Sequence, residues 1–213
     1  PANPMGIRAC QEVMPDTPMV AVFDTAFHMT MPKEAYLYAL PLDYYKRLKV
    51  RRYGFHGTSH RFVAQRTREI LPPEETEKLI ICHLGNGSSL SAVKDGKVVD
   101  TSMGLTPLEG VVMGTRCGSI DPAIIYYIMK QDKISIEEVD TLLNKKSGLL
   151  GLTGLSSDMR DVRSAAEAGN EDAITALKIW AYVIRKQIGA YAAAMDGVTT
   201  LVFTAGIGEN DAQ

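Results

Sequence analysis

Cysteine and tryptophan are scarce in this 213-residue chain, which holds three of the first and one of the second. Cys10, Cys82 and Cys117 are too few and too scattered for a disulfide framework or a CxxC metal site, which favours a reducing, cytoplasmic setting. No apolar run approaches the roughly 20 residues needed to span a bilayer, and the N-terminus lacks the charged-then-apolar layout of a secretion signal. Neither sign of charge dominates. A net charge of −2 and a pI near 6.1 leave no basic field for nucleic acid, and no Lys/Arg tract suits an anionic membrane surface. The pattern GxxxxGK[ST] does not occur, which excludes a Walker A kinase for this segment. An initiator Met is also missing, so from Pro1 to Gln213 the sequence reads as cut at both ends.

What is present is an alternation of strand-like and helix-like segments, with 46% hydrophobic residues to build a sizeable core. MVAVFDTAF (19–27) reads as a buried strand ending in polar residues, among them Asp24, a carboxylate costly to bury unpaired. Thr58 or Ser59 is placed to N-cap a helix running to about Ile70, closed by Pro72 and Pro73. KLIICHL, SLSAV and KVVDTS then form three short strands joined by the GNGS loop and by Asp95-Gly96, a hairpin turn signal, giving an antiparallel meander. Asp121-Pro122 opens a helix over AIIYYIMKQ; Ser135 and Glu138 have capping-box spacing before VDTLLNKKSG, where Gly148 is suited to end the helix. From Glu171, apolar residues Ile174, Leu177, Ala181, Ile184, Ile188, Tyr191 and Met195 recur at steps of three and four, predicting one long amphipathic helix before the strand TTLVFT. A three-stranded meander, helices and a further strand fit an α/β core of ribonuclease-H-like type.

Two of these strands run straight into glycine-rich loops bearing polar groups: Leu79 to His83 before LGNGSS, and Leu201 to Thr204 before AGIGEN. Glycines there let backbone N–H groups approach phosphate oxygens with no Cβ in the way, so the pair suggests two walls of a site for a phosphorylated nucleotide. Either loop alone is also an ordinary tight turn, SSDMRD (from Ser156) an ordinary helix cap, and Arg116 in MGTRCGS an ordinary solvated cation.

Taken together and in order, VFDTAFH, RRYGFHGTSH, HLGNGSSLSAV, DTSMGLTPLEGVVMGTRCGSIDP and FTAGIGEN resemble the acetate kinases, short-chain carboxylate kinases of the acetate and sugar kinase, Hsc70 and actin superfamily. The resemblance covers essentially the whole chain. It implies a duplicated ribonuclease-H-like (actin-like ATPase) fold, with residues 1–30 ending an N-terminal domain and 31–213 forming most of a C-terminal nucleotide-binding domain. It implies ATP/ADP and Mg²⁺, a short-chain carboxylate such as acetate as acceptor, acetyl phosphate as product and a homodimer.

Carried onto this sequence, the resemblance makes Asp24, His56 and Arg116 catalytic. It makes His83, Leu84, Gly85, Asn86 and Gly87, Asp158, Met159 and Arg160, and Gly206, Ile207, Gly208, Glu209 and Asn210 nucleotide contacts. Phe55 and Pro107 correspond to an apolar substrate pocket. His60 reads as a packing or capping residue and His28 as structural or substrate-adjacent. The family's N-terminal phosphate loop, a second active-site arginine and its metal-linked asparagine and glutamate have no counterparts here, so metal ligands are not assigned. Propionate or butyrate kinases, an actin-like ATPase and a non-catalytic nucleotide-binding or dimerisation module remain as other readings.

Overall fold

The computed structural model describes residues 2–212. Pro1 and Gln213, the outer limits of the two expected domain segments, lie outside the described residues. In chain order the helices are α1 (Ala2–Val13), α2 (Lys33–Tyr36), α3 (Leu42–Leu48), α4 (Gly57–Ile70), α5 (Ala123–Asp132), α6 (Ile136–Lys145), α7 (Gly148–Thr153), α8 (Met159–Glu167), α9 (Glu171–Ala194) and α10 (Ala205–Asn210). The strands are β1 (Lys78–Leu84), β2 (Ser88–Lys94), β3 (Lys97–Thr101) and β4 (Thr200–Thr204).

The sheet runs β3-β2-β1-β4, with β1, β2 and β3 antiparallel in a meander and β4 parallel to β1. The Asp95-Gly96 hairpin has positive φ at both residues, 50° and 78°, the geometry whose twist matches that of its strands. The apolar run of β1 is continuous because both of its faces are covered. Ile80, Cys82 and Leu84 pack with Leu90, Ala92 and, from α9 and its C-cap, Ile184, Tyr191 and Met195. Leu79 and Ile81 pack on the other face with Val93, Val98, Met31 and Ala64 of α4. A third cluster, Leu149, Met159, Val162, Ala173 and Ala176, joins α7, α8 and α9. The predicted stripe of α9 holds at Leu177, Ile184, Ile188, Tyr191 and Met195, whereas Ala181 is exposed and Ile174 joins none of the clusters, the contact shifting to Ala173, Ala176 and Trp180 in the first half of the helix.

Four expectations need correction. Residues 19–27 form no strand: Val20 and Phe23 are 84% and 70% exposed, and among the described residues no strand pairs with the segment, without which an extended run has no ladder to stabilise it. Asp24 is therefore exposed rather than buried. Helix α4 starts earlier than expected, with His56 at its N-cap in the left-handed region (φ 57°) instead of Thr58 or Ser59. Gly148 does not end a helix; α6 stops at Lys145 and Gly148, at φ 62°, begins α7. The capping box holds as read, Ser135 Oγ accepting from Glu138 N–H while Glu138 Oε2 accepts from Ser135 N–H.

Candidate active site

Parallel pairing of β1 with β4 brings the two glycine-rich segments together, because His83 lies opposite Thr204 and both strands leave the sheet at the same end. After β1, Gly85 N–H donates to Gly87 O and Ser88 Oγ donates to Gly85 O, closing a tight loop with Asn86 at its tip. After β4 the chain does not stay a loop as expected. It turns at Ala205 (φ 67°) directly into α10. A Cβ on Gly85 would lie 3.7 Å from the Ala205 methyl, so the two segments abut.

Beside them opens a cavity of about 1020 Å³, within the range that holds small organic ligands and cofactors. Gly85 and Asn86 line one side, Ser157 to Arg160 with Arg163 a second, and Gly206, Ile207, Asn210, Asp211 and Ala212 a third. The Asn86 tip is braced from below: Gly114 N–H donates to Asn86 O, and a Cβ on Gly114 would collide with the Asn86 amide oxygen. Three segments far apart in sequence thus share one wall system.

Within each segment the residues divide by direction. Asp158 N-caps α8, accepting from Arg160 N–H, and its carboxylate also takes Arg160 Nε at 3.0 Å. The Arg160 side chain and backbone bonds hold the Asp158 carboxyl down at about 2, so it is ionised at any working pH. Met159 turns its side chain into the third core cluster. In α10, Gly206, Ile207 and Asn210 face the cavity, whereas Gly208 packs on the sheet near Leu84, and Glu209 folds back so that Oε1 accepts from Ala205 N–H and Thr204 Oγ1. Leu84 is a core residue, 3% exposed. Sequence reasoning missed Arg163 and Asp211, whose forked pair (Nε to Oδ2 2.7 Å, Nη2 to Oδ1 2.6 Å) rims the cavity. Nothing local marks a pair 48 residues apart.

The other side of the Gly85–Gly87 loop forms a second corner. A Cβ on Gly87 would stand 3.5 Å from Arg116 Nη1 and 3.5 Å from His56 Nε2. Arg116 Nη1 donates to Pro107 O (3.0 Å) and to Met113 Sδ (3.5 Å), both neutral acceptors, and among the described residues no carboxylate bonds to it. Phe55 and Pro107 are both half-buried, each next to one of these groups: Phe55 precedes His56 in sequence, and Pro107 holds Arg116.

His56 is fixed from three sides. Its N–H donates to Asp24 Oδ2 at 2.6 Å, its Nδ1 lies 2.9 Å from Ser89 Oγ, and its ring stacks on His83 with centroids 4.1 Å apart. Gly57 lets the Asp24 segment approach, since its N–H donates to Asp24 O and a Cβ there would collide with that oxygen. Burial, then His83 and Arg116, push His56 down to about 4 against the pull of Asp24. His56 is therefore neutral at pH 7 in this structure. His83 does not line the cavity; its Nδ1 lies 2.8 Å from Ser59 Oγ. His60 and His28 are fully buried, on Ser89 Oγ and Ser91 Oγ respectively.

Among the described residues no group of three His, Cys, Asp or Glu is arranged to hold a metal ion, and no helix is long and apolar enough to cross a membrane.

The family model described as the Acetokinase family matches residues 1–213. The chain is 62% identical over 212 residues to an acetate kinase of Thermoanaerobacterium thermosaccharolyticum, covering 99% of this chain and 53% of that protein. To an acetate kinase of Methanosarcina barkeri it is 61% identical over 213 residues, covering 100% and 52%. Among solved structures, the acetate kinase of Porphyromonas gingivalis superposes with a TM-score of 0.93 at 49% identity, over 99% of this chain and 53% of that one. A propionate kinase of Francisella tularensis gives 0.93 at 47%, over 97% and 53%. The chain spans about half the length of the curated relatives it matches.

Proposed function

The chain belongs to the acetokinase family, and on that premise we propose that it supplies most of the nucleotide wall and one catalytic corner of an enzyme transferring the γ-phosphoryl group of ATP to acetate. In that reading residues 1–30 end an N-terminal domain and the rest form most of the C-terminal one. The single observation that carries it is the convergence of Arg116 Nη1 and His56 Nε2 on Gly87, at the turn whose other face enters the large cavity. A nucleotide lying along Asn86, Asp158–Arg160 and Gly206–Asn210 would direct its terminal phosphate around the Gly85–Gly87 turn to this corner.

Charge accounting gives the mechanism. Acetate is ionised at neutral pH and needs no base, while the phosphoryl group is anionic, so the work is positioning and neutralisation. A carboxylate oxygen attacks the γ-phosphorus, the bond to the β-phosphate oxygen breaks, and ADP leaves with that electron pair. Arg116 spans equatorial phosphoryl oxygens with a charge that survives at any pH. Neutral His56 adds an N–H dipole. Asp24, tied to His56 N–H, sets the corner's geometry and orients the acceptor. Phe55 and Pro107 offer apolar surface to the acetate methyl.

Mg²⁺ suits this donor set as a passenger on the nucleotide phosphates, since Asp24 spends Oδ2 on His56 and, among the described residues, no group of three His, Cys, Asp or Glu is arranged to hold a metal ion. When bound it would neutralise phosphate charge. A propionate acceptor differs by one methylene, worth only about 1 to 3 kcal/mol in such a pocket, and the likeness to a propionate kinase keeps that reading open. The scarcity of cysteine supports a cytoplasmic setting, and Tyr182 of α9, 59% exposed, offers one apolar group for association as a homodimer.

The test is acyl-hydroxamate formation from ATP, acetate and hydroxylamine, with nucleotide binding followed by calorimetry. This chain alone is expected to bind ATP or ADP weakly and to form essentially no product, because water would screen the charges of a one-sided cleft; the complete protein carrying it is expected to turn over. A complete protein that binds ATP without forming hydroxamate would overturn the kinase reading.

A further inference from the structure

All four histidines of the chain gather on one side of the Gly85–Gly87 loop: His28 and His60 meet edge-on at 5.6 Å, His60 and His83 lie 6.0 Å apart, and His83 stacks on His56. Only His56 reaches the Gly87 corner with its outer nitrogen. Which way that nitrogen serves, as donor or acceptor, depends on where the imidazole proton sits, and that is set by the partner of the inner nitrogen.

The partner is Ser89 Oγ, fully buried, 2.9 Å from His56 Nδ1 and 2.7 Å from His60 Nε2. A serine hydroxyl has one proton to give and two lone pairs; accepting from both histidines would leave its own buried proton with no partner among the described residues, so it donates to one histidine and accepts from the other. If Ser89 donated to His60, then His60 would carry its own proton on Nδ1. That atom is buried with no hydrogen-bond partner among the described residues, and an orphaned buried N–H is the rarer and costlier defect. A second proton on His60 is no escape, because burial beside His28, His83 and His56 pushes it well below its usual value. The remaining arrangement has His60 Nε2–H donating to Ser89 Oγ and Ser89 Oγ–H donating to His56 Nδ1.

His28 repeats the same polarity independently. Thr101 Oγ1 donates to Leu90 O, so the Ser91 hydroxyl 3.2 Å away donates to Thr101 and accepts from His28 Nε2–H, and again the histidine's Nδ1 is the buried atom without a partner.

We propose that Ser89 and His60 are positioning residues for the phosphoryl transfer: their relay locks His56 as the Nε2–H tautomer, so that it presents a hydrogen-bond donor beside Arg116. The inference rests on the kinase reading for its purpose. The opposite tautomer would turn a lone pair toward the transferring anionic group, replacing an attraction by a repulsion at the point where charge develops.

The experiment is ring ¹⁵N–¹H correlation on this chain labelled at histidine, at pH 7, with His56→Gln assigning the His56 signals. The expected pattern is a bare Nδ1 and a protonated Nε2 on His56. Ser89→Ala should lose the single tautomer, and in the complete protein should lower kcat about tenfold to a hundredfold while leaving KM for ATP and acetate unchanged. A proton on His56 Nδ1 in the unsubstituted chain overturns the proposal, whether or not Ser89→Ala folds. So does a Ser89→Ala protein with an unaltered His56 pattern. Because the spectrum requires no turnover, an inactive complete protein with the expected tautomer would count against the kinase reading and not against the relay.

Discussion

Asp24 Oδ2 accepts the backbone N–H of His56 at 2.6 Å, and His56 is held in the left-handed region at φ 57°. A non-glycine residue in that region costs about 1 to 3 kcal/mol and persists only where its surroundings hold it. The exposed carboxylate is thus part of what keeps the His56 ring over Ser89 and His83. Asp24→Asn retains an acceptor at the same place and should keep the unfolding midpoint near that of the unsubstituted chain; Asp24→Ala should lower stability by about 1 kcal/mol. Both should reduce kcat in the complete protein, Ala more than Asn. Equal losses in kcat with unchanged stability would show that the charge, not the hydrogen bond, is what matters.

Arg116 is anchored by a carbonyl and a thioether, leaving its charge for an anion. Arg116→Ala should lower kcat in the complete protein at least about a hundredfold, as for loss of a group that stabilises developing charge. Steady-state kinetics decide the matter: a raised KM for acetate at near-normal kcat would move Arg116 to ground-state binding.

Gly87→Ala separates folding from chemistry. The added methyl would sit 3.5 Å from both Arg116 Nη1 and His56 Nε2, an ordinary contact distance, so the apo fold should accept it with its unfolding midpoint unchanged. It would occupy the space between the two groups, and kcat should fall about a hundredfold, the scale of a small misplacement of reacting groups. A fully active Gly87→Ala enzyme would remove this corner from the phosphoryl path.

Phe55→Ala should raise kcat/KM for propionate or butyrate relative to acetate by opening volume next to His56. Unchanged ratios across the series would take Phe55 out of the acceptor pocket.

The histidine cluster also sets an acid limit on stability. His28 and His56 are held down at about 4, mainly by burial, and His60 and His83 are lowered as well. In the unfolded chain they titrate near 6.5. As pH falls from about 6.5 to 4 the unfolded state takes up protons that the folded state refuses, so stability declines, by up to about 1.4 kcal/mol per pH unit for each fully protected imidazole. Above pH 6.5 the effect is absent. Asp158, lowered to about 2, acts only below the ordinary carboxylate range. Urea unfolding between pH 7 and 5, where carboxylates contribute little, should show this slope; a flat profile would mean that the cluster is hydrated and free to charge.

What the sequence made legible was local. The meander of β1 to β3 was readable from apolar runs with an Asp-Gly turn between two of them, the capping box at Ser135 from side chains acting within one turn, and α9 from apolar residues recurring at steps of three and four. MVAVF misled because it has strand composition, while strand existence depends on a partner that the segment lacks among the described residues. Gly148 misled because its positive φ suits a helix end and a helix beginning alike. Motif matching placed Gly85, Asn86, Asp158, Arg160, Gly206 and Asn210, and the structure brings them to one cavity. It did not separate Met159, Gly208 and Glu209, whose side-chain directions depend on helix phase and packing. Ser89 was legible only as a donor of the glycine loop and not as the partner of His56 and His60, and Arg163 and Asp211 were invisible, since these partners are set by tertiary contact alone.

The parallel register of β1 on β4 carries a cost in time. The two walls lie far apart along the chain, and until Thr200–Thr204 has left the ribosome β1 has, among the described strands, only β2 beside it. At ordinary translation speeds that interval is roughly ten seconds. During it the far edge of LIICHL, apolar on both faces, stands open as a template for any other extended chain. Early docking of α4 and the residues around Met31 over one face of β1 would shield that face until β4 pairs with β1.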